Sequence, residues 1–177
     1  MSTSGGGGPA LIEFSSLYRA YARDVHRFAL FLSGDASLAD DIVSETFVRA
    51  WHARSRLDLA TVKAYLFAIA RNLYLQQRQR TNRLGPLDER LADPAPGPHD
   101  RMRARQDRDA VLAALRQLPE IDRAAVLMRA DDEMPYEEIA RVLGISVSSA
   151  KVKVHRARLK LAEGLKTREK EGEKEAP

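Results

Sequence analysis

Apolar residues recur at intervals of three and four along most of the chain, the spacing of one face of an α-helix. Phe14, Leu17, Tyr21, Val25, Phe28 and Leu32 make the first such stripe. The triplet Ser33-Gly34-Asp35 interrupts it, and Asp35 is a residue type that caps a following helix. In that next helix Ala39, Ile42 or Val43, Thr46 and Ala50 share a face. A basic, turn-like stretch, Arg54-Ser55-Arg56-Leu57-Asp58, then precedes a third stripe of Val62, Tyr65, Leu66, Ile69 and Leu73.

The pattern lapses from Leu84 to about Met102, where Gly85, Pro86, Pro94, Pro96, Gly97 and Pro98 exclude a helix or a central strand and predict a linker. Fully extended, about twenty residues reach roughly 65 Å, which lets the flanking segments engage well-separated sites. Helical spacing then resumes. Val111, Leu112, Leu115 and Leu118 form a stripe closed by Pro119, and Asp122 is a candidate cap for a helix with Ala125, Val126 and Leu127. Another helix is expected to open at Pro135, with Glu137 and Glu138 at the positive end of its dipole, and to stop at Gly144. The last starts near Ser146 and passes Leu161.

The expected fold is therefore all-α, two small helical domains joined by a flexible linker, with no strand and no internal repeat. The divisions are a disordered tail over 1–10, a first domain over 11–83, a Pro/Gly-rich linker over 84–103, a second domain over 104–165, and a charged tail over 166–177 expected to fray.

The stretch 136–152 reads as helix, Gly-containing turn, helix, the layout of a DNA-binding helix-turn-helix. Ile139 and Ala140 are expected to pack its first helix and Ile145 to plug the turn. In the second helix Ala150, Val154, Ala157 and Leu161 fall on a face that should be buried. No acid occurs from Ser146 to Leu161, whereas Lys151, Lys153, Arg156, Arg158 and Lys160 are basic. That local excess suits phosphate binding. Ser148 and Ser149 are small enough for close approach to a groove, and Val152 offers an apolar contact for a thymine methyl. His155 reads as a surface residue able to meet a phosphate.

Composition narrows the chemistry. The 177 residues are 44% apolar, enough to bury a core, and carry 29 basic against 25 acidic side chains, so only the distribution of charge is informative. There is no cysteine, which excludes disulfides and Cys-ligated metals. His26, His52, His99 and His155 have no metal-ligand spacing, and no metal, cofactor or catalytic residue is expected. The longest apolar runs fall well short of the roughly 20 residues a membrane helix needs, and the Gly-rich start lacks the features of a signal peptide. A cytoplasmic location is expected.

Four motifs, in order, resemble a known family. The stretch 40–51, DDIVSETFVRAW, looks like region 2.2 of sigma-70 family factors. The run 65–72, YLFAIARN, looks like region 2.4, with Tyr65 in the place of a tryptophan. Leu118-Pro119 followed by Arg123 is similar to the start of region 4, and the helix-turn-helix ending His155-Arg156-Ala157-Arg158 is similar to region 4.2. Two such domains around a short linker, without region 1.1 or a folded region 3, resemble the extracytoplasmic-function (ECF) group. The resemblance covers roughly residues 12–165.

The resemblance implies a non-enzymatic subunit that binds core RNA polymerase, through its clamp helices and flap, and directs it to promoter DNA. Asp40, Asp41, Ser44, Glu45, Val48 and Arg49 would form the polymerase-binding surface, and Asp41, Glu45 and Arg49 do fall at spacings of four. Arg54, Ser55, Arg56, Leu57, Asp58, Lys63, Arg71 and Asn72 would hold an opened −10 element, with Arg78 and Arg80 extending the basic track. Ser148, Ser149, Lys151, Val152, Lys153, His155, Arg156 and Arg158 would read the −35 element. An anti-sigma factor is an implied partner; a small-molecule substrate and membrane insertion are not. The sequence departs from common members at Ser44, within the implied clamp surface, at Gln76, which leaves region 2.4 less acidic, and at Ser148-Ser149-Ala150 and Val152-Lys153, so a −35 sequence does not carry over from other members. The alternative is a helix-turn-helix regulator that binds operator DNA without joining a polymerase.

Overall fold

The computed structural model describes residues 13–58, 60–84, 99–132 and 134–174, and every regular element among them is helical. The expected tail over 1–10 and most of the linker over 84–103 lie outside the described residues. Seven α-helices follow in order: α1 (Phe14–Ser33), α2 (Ala36–His52), α3 (Val62–Leu84), α4 (His99–Arg116), α5 (Glu120–Asp132), α6 (Tyr136–Leu143) and α7 (Val147–Lys174). A 3₁₀ turn, Arg54–Arg56, sits between α2 and α3.

The breaks form for the reasons the sequence gives. Gly34 takes a left-handed conformation (φ 72°) that ends α1, and the Asp35 carboxylate accepts the Leu38 N–H at 2.9 Å to open α2. Gly144 repeats the device between α6 and α7 (φ 66°), where the Ile145 N–H reaches back to the Ala140 carbonyl at 3.0 Å. A Cβ on Gly144 would meet open space, so the cost of adding one is conformational. Gly144→Ala is expected to lower the unfolding free energy by about 1–2 kcal/mol, measurable as a shift of the urea midpoint.

Two expected starts shift by a residue or two. The carbonyl of Pro119 already accepts the Arg123 N–H at 3.0 Å, so α5 opens at Glu120 and Asp122 lies inside the first turn rather than at the cap. The carbonyl of Pro135 likewise accepts the Ile139 N–H at 3.1 Å, which puts Pro135 just ahead of α6. At the far end α7 continues through 174, beyond the 165 expected from apolar spacing; Lys, Glu and Arg are good helix formers and carry it on.

Helices α1, α2 and α3 pack together around Val25, Phe28, Leu32, Ala39, Ile42, Phe47, Leu66 and Phe67. The Phe28 and Phe67 rings meet edge to face, 4.6 Å between centroids. Helices α5, α6 and α7 pack on one another, with Met128, Ile139, Ala150 and Val154 buried, and α4 lies against α7. The two groups are not held apart. α1 touches α4 and α5, α3 touches α6, and their buried side chains merge into one core. Phe31 of α1 also packs against a smaller cluster of Leu115, Leu118, Val126 and Ala157.

Burial on α3 differs from the expected stripe. Val62 and Leu66 are buried, but so are Ala64, Phe67, Ala70 and Tyr74, while Ile69 and Leu73 are half-buried and Tyr65 is 37% exposed. The reason is that α3 is covered from two sides, by α1 and α2 and by α6, which widens and rotates its apolar arc.

Candidate nucleic-acid and protein interfaces

Helix α2 buries Ala39, Ile42, Val43, Thr46, Phe47 and Ala50, so its other face points outward. All six residues expected at the polymerase surface, Asp40, Asp41, Ser44, Glu45, Val48 and Arg49, are exposed there, with Val48 at 47%. They form two adjacent strips. Asp41, Glu45 and Arg49 border a shallow groove shared with Leu73, Gln76, Gln77 and Arg80 of α3. Asp40, Ser44 and Val48 face away from it, and His26 Nε2 lies 3.2 Å from the Asp40 carboxylate. The Arg49 Nε donates to Glu45 at 2.7 Å, which holds both side chains in one arrangement. The result is a rigid helical face with carboxylates around one apolar residue.

The residues expected to hold single-stranded DNA are placed unequally. Ser55, Arg56, Asp58 and Asn72 are exposed, and Leu57 is half-buried against the core. Arg54 stacks its guanidinium over Trp51 at 4.1 Å and donates to the Trp51 carbonyl at 3.0 Å, so its charge is fixed beside the turn. The Asp58 carboxylate accepts the Ala60 N–H at 2.9 Å and shapes the loop. Lys63 is bound to Asp24 at 2.9 Å. Arg71 makes a two-pronged contact with Glu120 of α5, Nε to Oε1 at 2.7 Å and Nη2 to Oε2 at 2.8 Å. Arg78 and Arg80 are exposed further along α3.

On α7 the inward face carries Ala150, Val154 and Ala157, all buried, with Leu161 half-buried. The outward face carries Ser148, Lys151, Val152, His155, Arg156 and Arg158, with Val152 45% exposed. Ser148, Ser149, Val152, Lys153 and Arg156 line one shallow depression. The Ser146 hydroxyl accepts the Ser149 N–H at 3.1 Å and bonds both the Ser148 and Ser149 hydroxyls, which orders the helix start. Lys153 lies on the flank, 3.1 Å from the Asp122 carboxylate, and ties α7 to α5.

Four contributors escaped sequence reasoning. Trp51 supports Arg54; Tyr136 lies under Arg129 and Lys151, with 5.7 Å from the Lys151 Nζ to the ring centre; Asp122 positions Lys153; and Glu120 holds Arg71. Only Trp51, three residues before Arg54, lay within reach of a local pattern.

An exposed face with three carboxylates on one helical module and a basic outward helix face on a second stand out among the described residues. Residues 17–84 match Sigma-70 region 2 and residues 108–161 match Sigma-70, region 4. The chain is 34% identical over 147 residues to the ECF RNA polymerase sigma factor SigL of Mycobacterium tuberculosis, covering 80% of this chain and 82% of that one. It is 30% identical over 161 residues to ECF RNA polymerase sigma factor SigE of Mycolicibacterium smegmatis, covering 88% of this chain and 63% of that one. Among solved structures it is similar to the sigma factor RpoE of Bartonella quintana, crystallised with the anti-sigma factor NepR. The TM-score there is 0.70 at 28% identity, over 86% of this chain and 96% of that one. The chain belongs to the sigma-70 family of RNA polymerase sigma factors, in its ECF group.

Proposed function

We propose that this chain is a promoter-specificity subunit that joins core RNA polymerase and selects where transcription begins. The observation that carries the reading is one chain with two exposed charged faces in family order: the α2 face with Asp41 and Glu45, then the outward face of α7 from Ser148 to Arg158, a stretch without an acid. In this reading Asp40, Asp41, Ser44, Glu45, Val48 and Arg49 dock on the polymerase clamp helices. The outward side chains of α7 enter the major groove at the −35 element, where Arg156 and Val152 meet base edges and Lys151, His155 and Arg158 meet phosphates. The 54–58 loop and the start of α3 hold unstacked bases of an opened −10 element, which require a pocket and a basic track.

The chain makes and breaks no bond in this scheme. It acts in the cytoplasm, with the polymerase. An anti-sigma factor is a partner of the same kind as NepR is for the similar RpoE.

The test is binding of the purified chain to core polymerase. Glu45→Lys reverses a charge and removes the Arg49 pairing on an exposed surface, so the fold should be unchanged by circular dichroism. Affinity should fall by about tenfold or more. Equal binding by both proteins, or none by the wild type, overturns the reading; tight binding of DNA as a dimer without polymerase would instead mark an operator-binding regulator.

A further inference from the structure

Helix α3 carries Lys63, Arg71, Arg78, Arg80 and Arg83 and not one acid over Val62–Leu84, a composition that suits a polyanionic strand. At its first turn, however, a carboxylate is brought in from α1. Asp24 Oδ2 accepts the Lys63 Nζ at 2.9 Å, and Asp24 Oδ1 accepts the Arg27 Nη2 at 3.4 Å. Lys63 is 39 residues from Asp24, so tertiary packing sets the acid there. The Asp24, Lys63 and Arg27 side chains are 23%, 28% and 35% exposed, within reach of a ligand in solvent. The 54–58 loop ends one turn away, where the Asp58 carbonyl accepts the Thr61 N–H at 3.1 Å just ahead of α3.

A carboxylate on Lys63 weakens the hold of that cation on a phosphate, which makes it a poor choice beside a nucleic acid unless it has a partner of its own on the strand. An ionised carboxylate offers about four lone-pair sites, of which Lys63 and Arg27 engage two. The remaining sites accept N–H groups and nothing else. On an unstacked strand such groups lie on the Watson–Crick edges of the bases. Guanine presents two side by side, N1–H and N2–H, which match the two oxygens of a carboxylate. Adenine and cytosine present one amino group, and thymine one imino group.

We propose that Asp24 is a base-reading residue of the first module, which selects guanine at one unstacked position by accepting from its N1–H and N2–H while Lys63 and Arg27 hold the carboxylate in place. This rests on the assignment of Lys63 and the 54–58 loop to an opened −10 element. Asp24 and Lys63 belong to the same module, so their pairing does not depend on where the second module stands.

The test uses the full chain bound to core polymerase. Single strands of about twelve nucleotides, randomised at about six central positions, are selected by binding and sequenced. The wild type should enrich guanine at one position. Replacing that guanine by inosine, which lacks the N2 amino group, should weaken binding about tenfold. Asp24→Asn keeps the side-chain shape and exchanges an oxygen for an amino group. Ion pairs this exposed add little to stability, so circular dichroism should show an unchanged fold. The variant should bind the guanine and inosine strands alike and lose the enrichment at that one position. Asp24→Glu, which restores a carboxylate, should recover part of the preference.

A wild type that enriches no guanine, or that binds the inosine strand equally well, overturns the proposal before any variant is made. The same base profile in Asp24→Asn as in the wild type overturns it too. Tighter binding of every strand by Asp24→Asn with guanine still preferred reduces the acid to a counter-charge and equally overturns it. Failure of every protein to retain any strand is a separate result, which removes the start of α3 from the −10 interface and this inference with it.

Discussion

Phe67→Ala is expected to lower the unfolding free energy by about 3–5 kcal/mol, a large fraction of the roughly 5–15 kcal/mol that keeps a domain of ordinary stability folded. The Phe67 ring is 2% exposed and packs edge to face on Phe28 in the middle of the α1–α2–α3 group. Truncation removes the transfer energy of the ring and leaves a cavity that rigid helices on three sides cannot fill. Phe14 is the control: it is 38% exposed at the start of α1 and touches Tyr18, Phe47 and Trp51 at ring-centre distances from 5.5 to 6.4 Å. Phe14→Ala should cost about 1 kcal/mol, since much of its ring is already in water. Urea unfolding followed by circular dichroism measures both. Equal costs for the two substitutions would contradict the packing described.

The second large effect is on DNA. Arg156→Glu should weaken binding of the polymerase-bound chain to its preferred duplex by about 1–3 kcal/mol, that is by roughly fivefold to 150-fold. Arg156 lines a depression with Val152, Ser148 and Ser149 on the outward face of α7, and the proposed function puts its guanidinium against a base edge. Arg158→Ala, in contrast, should reduce affinity on every sequence alike and lower the steepness of the salt dependence by about one phosphate contact. Fluorescence anisotropy over a range of salt, on the preferred duplex and on a scrambled one, separates the two kinds of contact. Lys153→Met should resemble neither. It breaks the Asp122 pairing that ties α7 to α5, so its loss should appear in stability as well as in affinity.

Much of this was legible along the chain because it is local. The glycine stops at Gly34 and Gly144, the Asp35 cap, the buried stripe of α7 and the exposed strip of α2 each depend on residues within a turn or two of one another. Periodicity reads such features directly. The acid-free segment from Ser146 to Leu161 is likewise visible, and six of the eight side chains expected on its outward face are exposed, while Ser149 and Lys153 are half-buried at its edge. Periodicity does not read which helix covers which. Spacing alone groups Tyr65 with the buried stripe of α3, but it lies on the surface, because contact with α6 rotates the apolar arc toward Ala64, Phe67 and Ala70. The partners of charged residues were hidden for the same reason. Nothing local ties Arg71 to Glu120, Lys63 to Asp24 or Lys153 to Asp122, which lie 49, 39 and 31 residues apart, yet these pairings decide which cations face solvent. A basic side chain counted as a DNA contact from sequence is therefore a statement about charge, and its availability is a statement about tertiary packing.

The most direct measurement of the central claim is run-off transcription by core polymerase on fragments of the host genome, with and without the chain. The account predicts discrete transcripts with fixed 5′ ends that appear only when the wild-type chain is added and fade with Glu45→Lys. Transcript ends that are the same with the chain, without it and with the variant would contradict it.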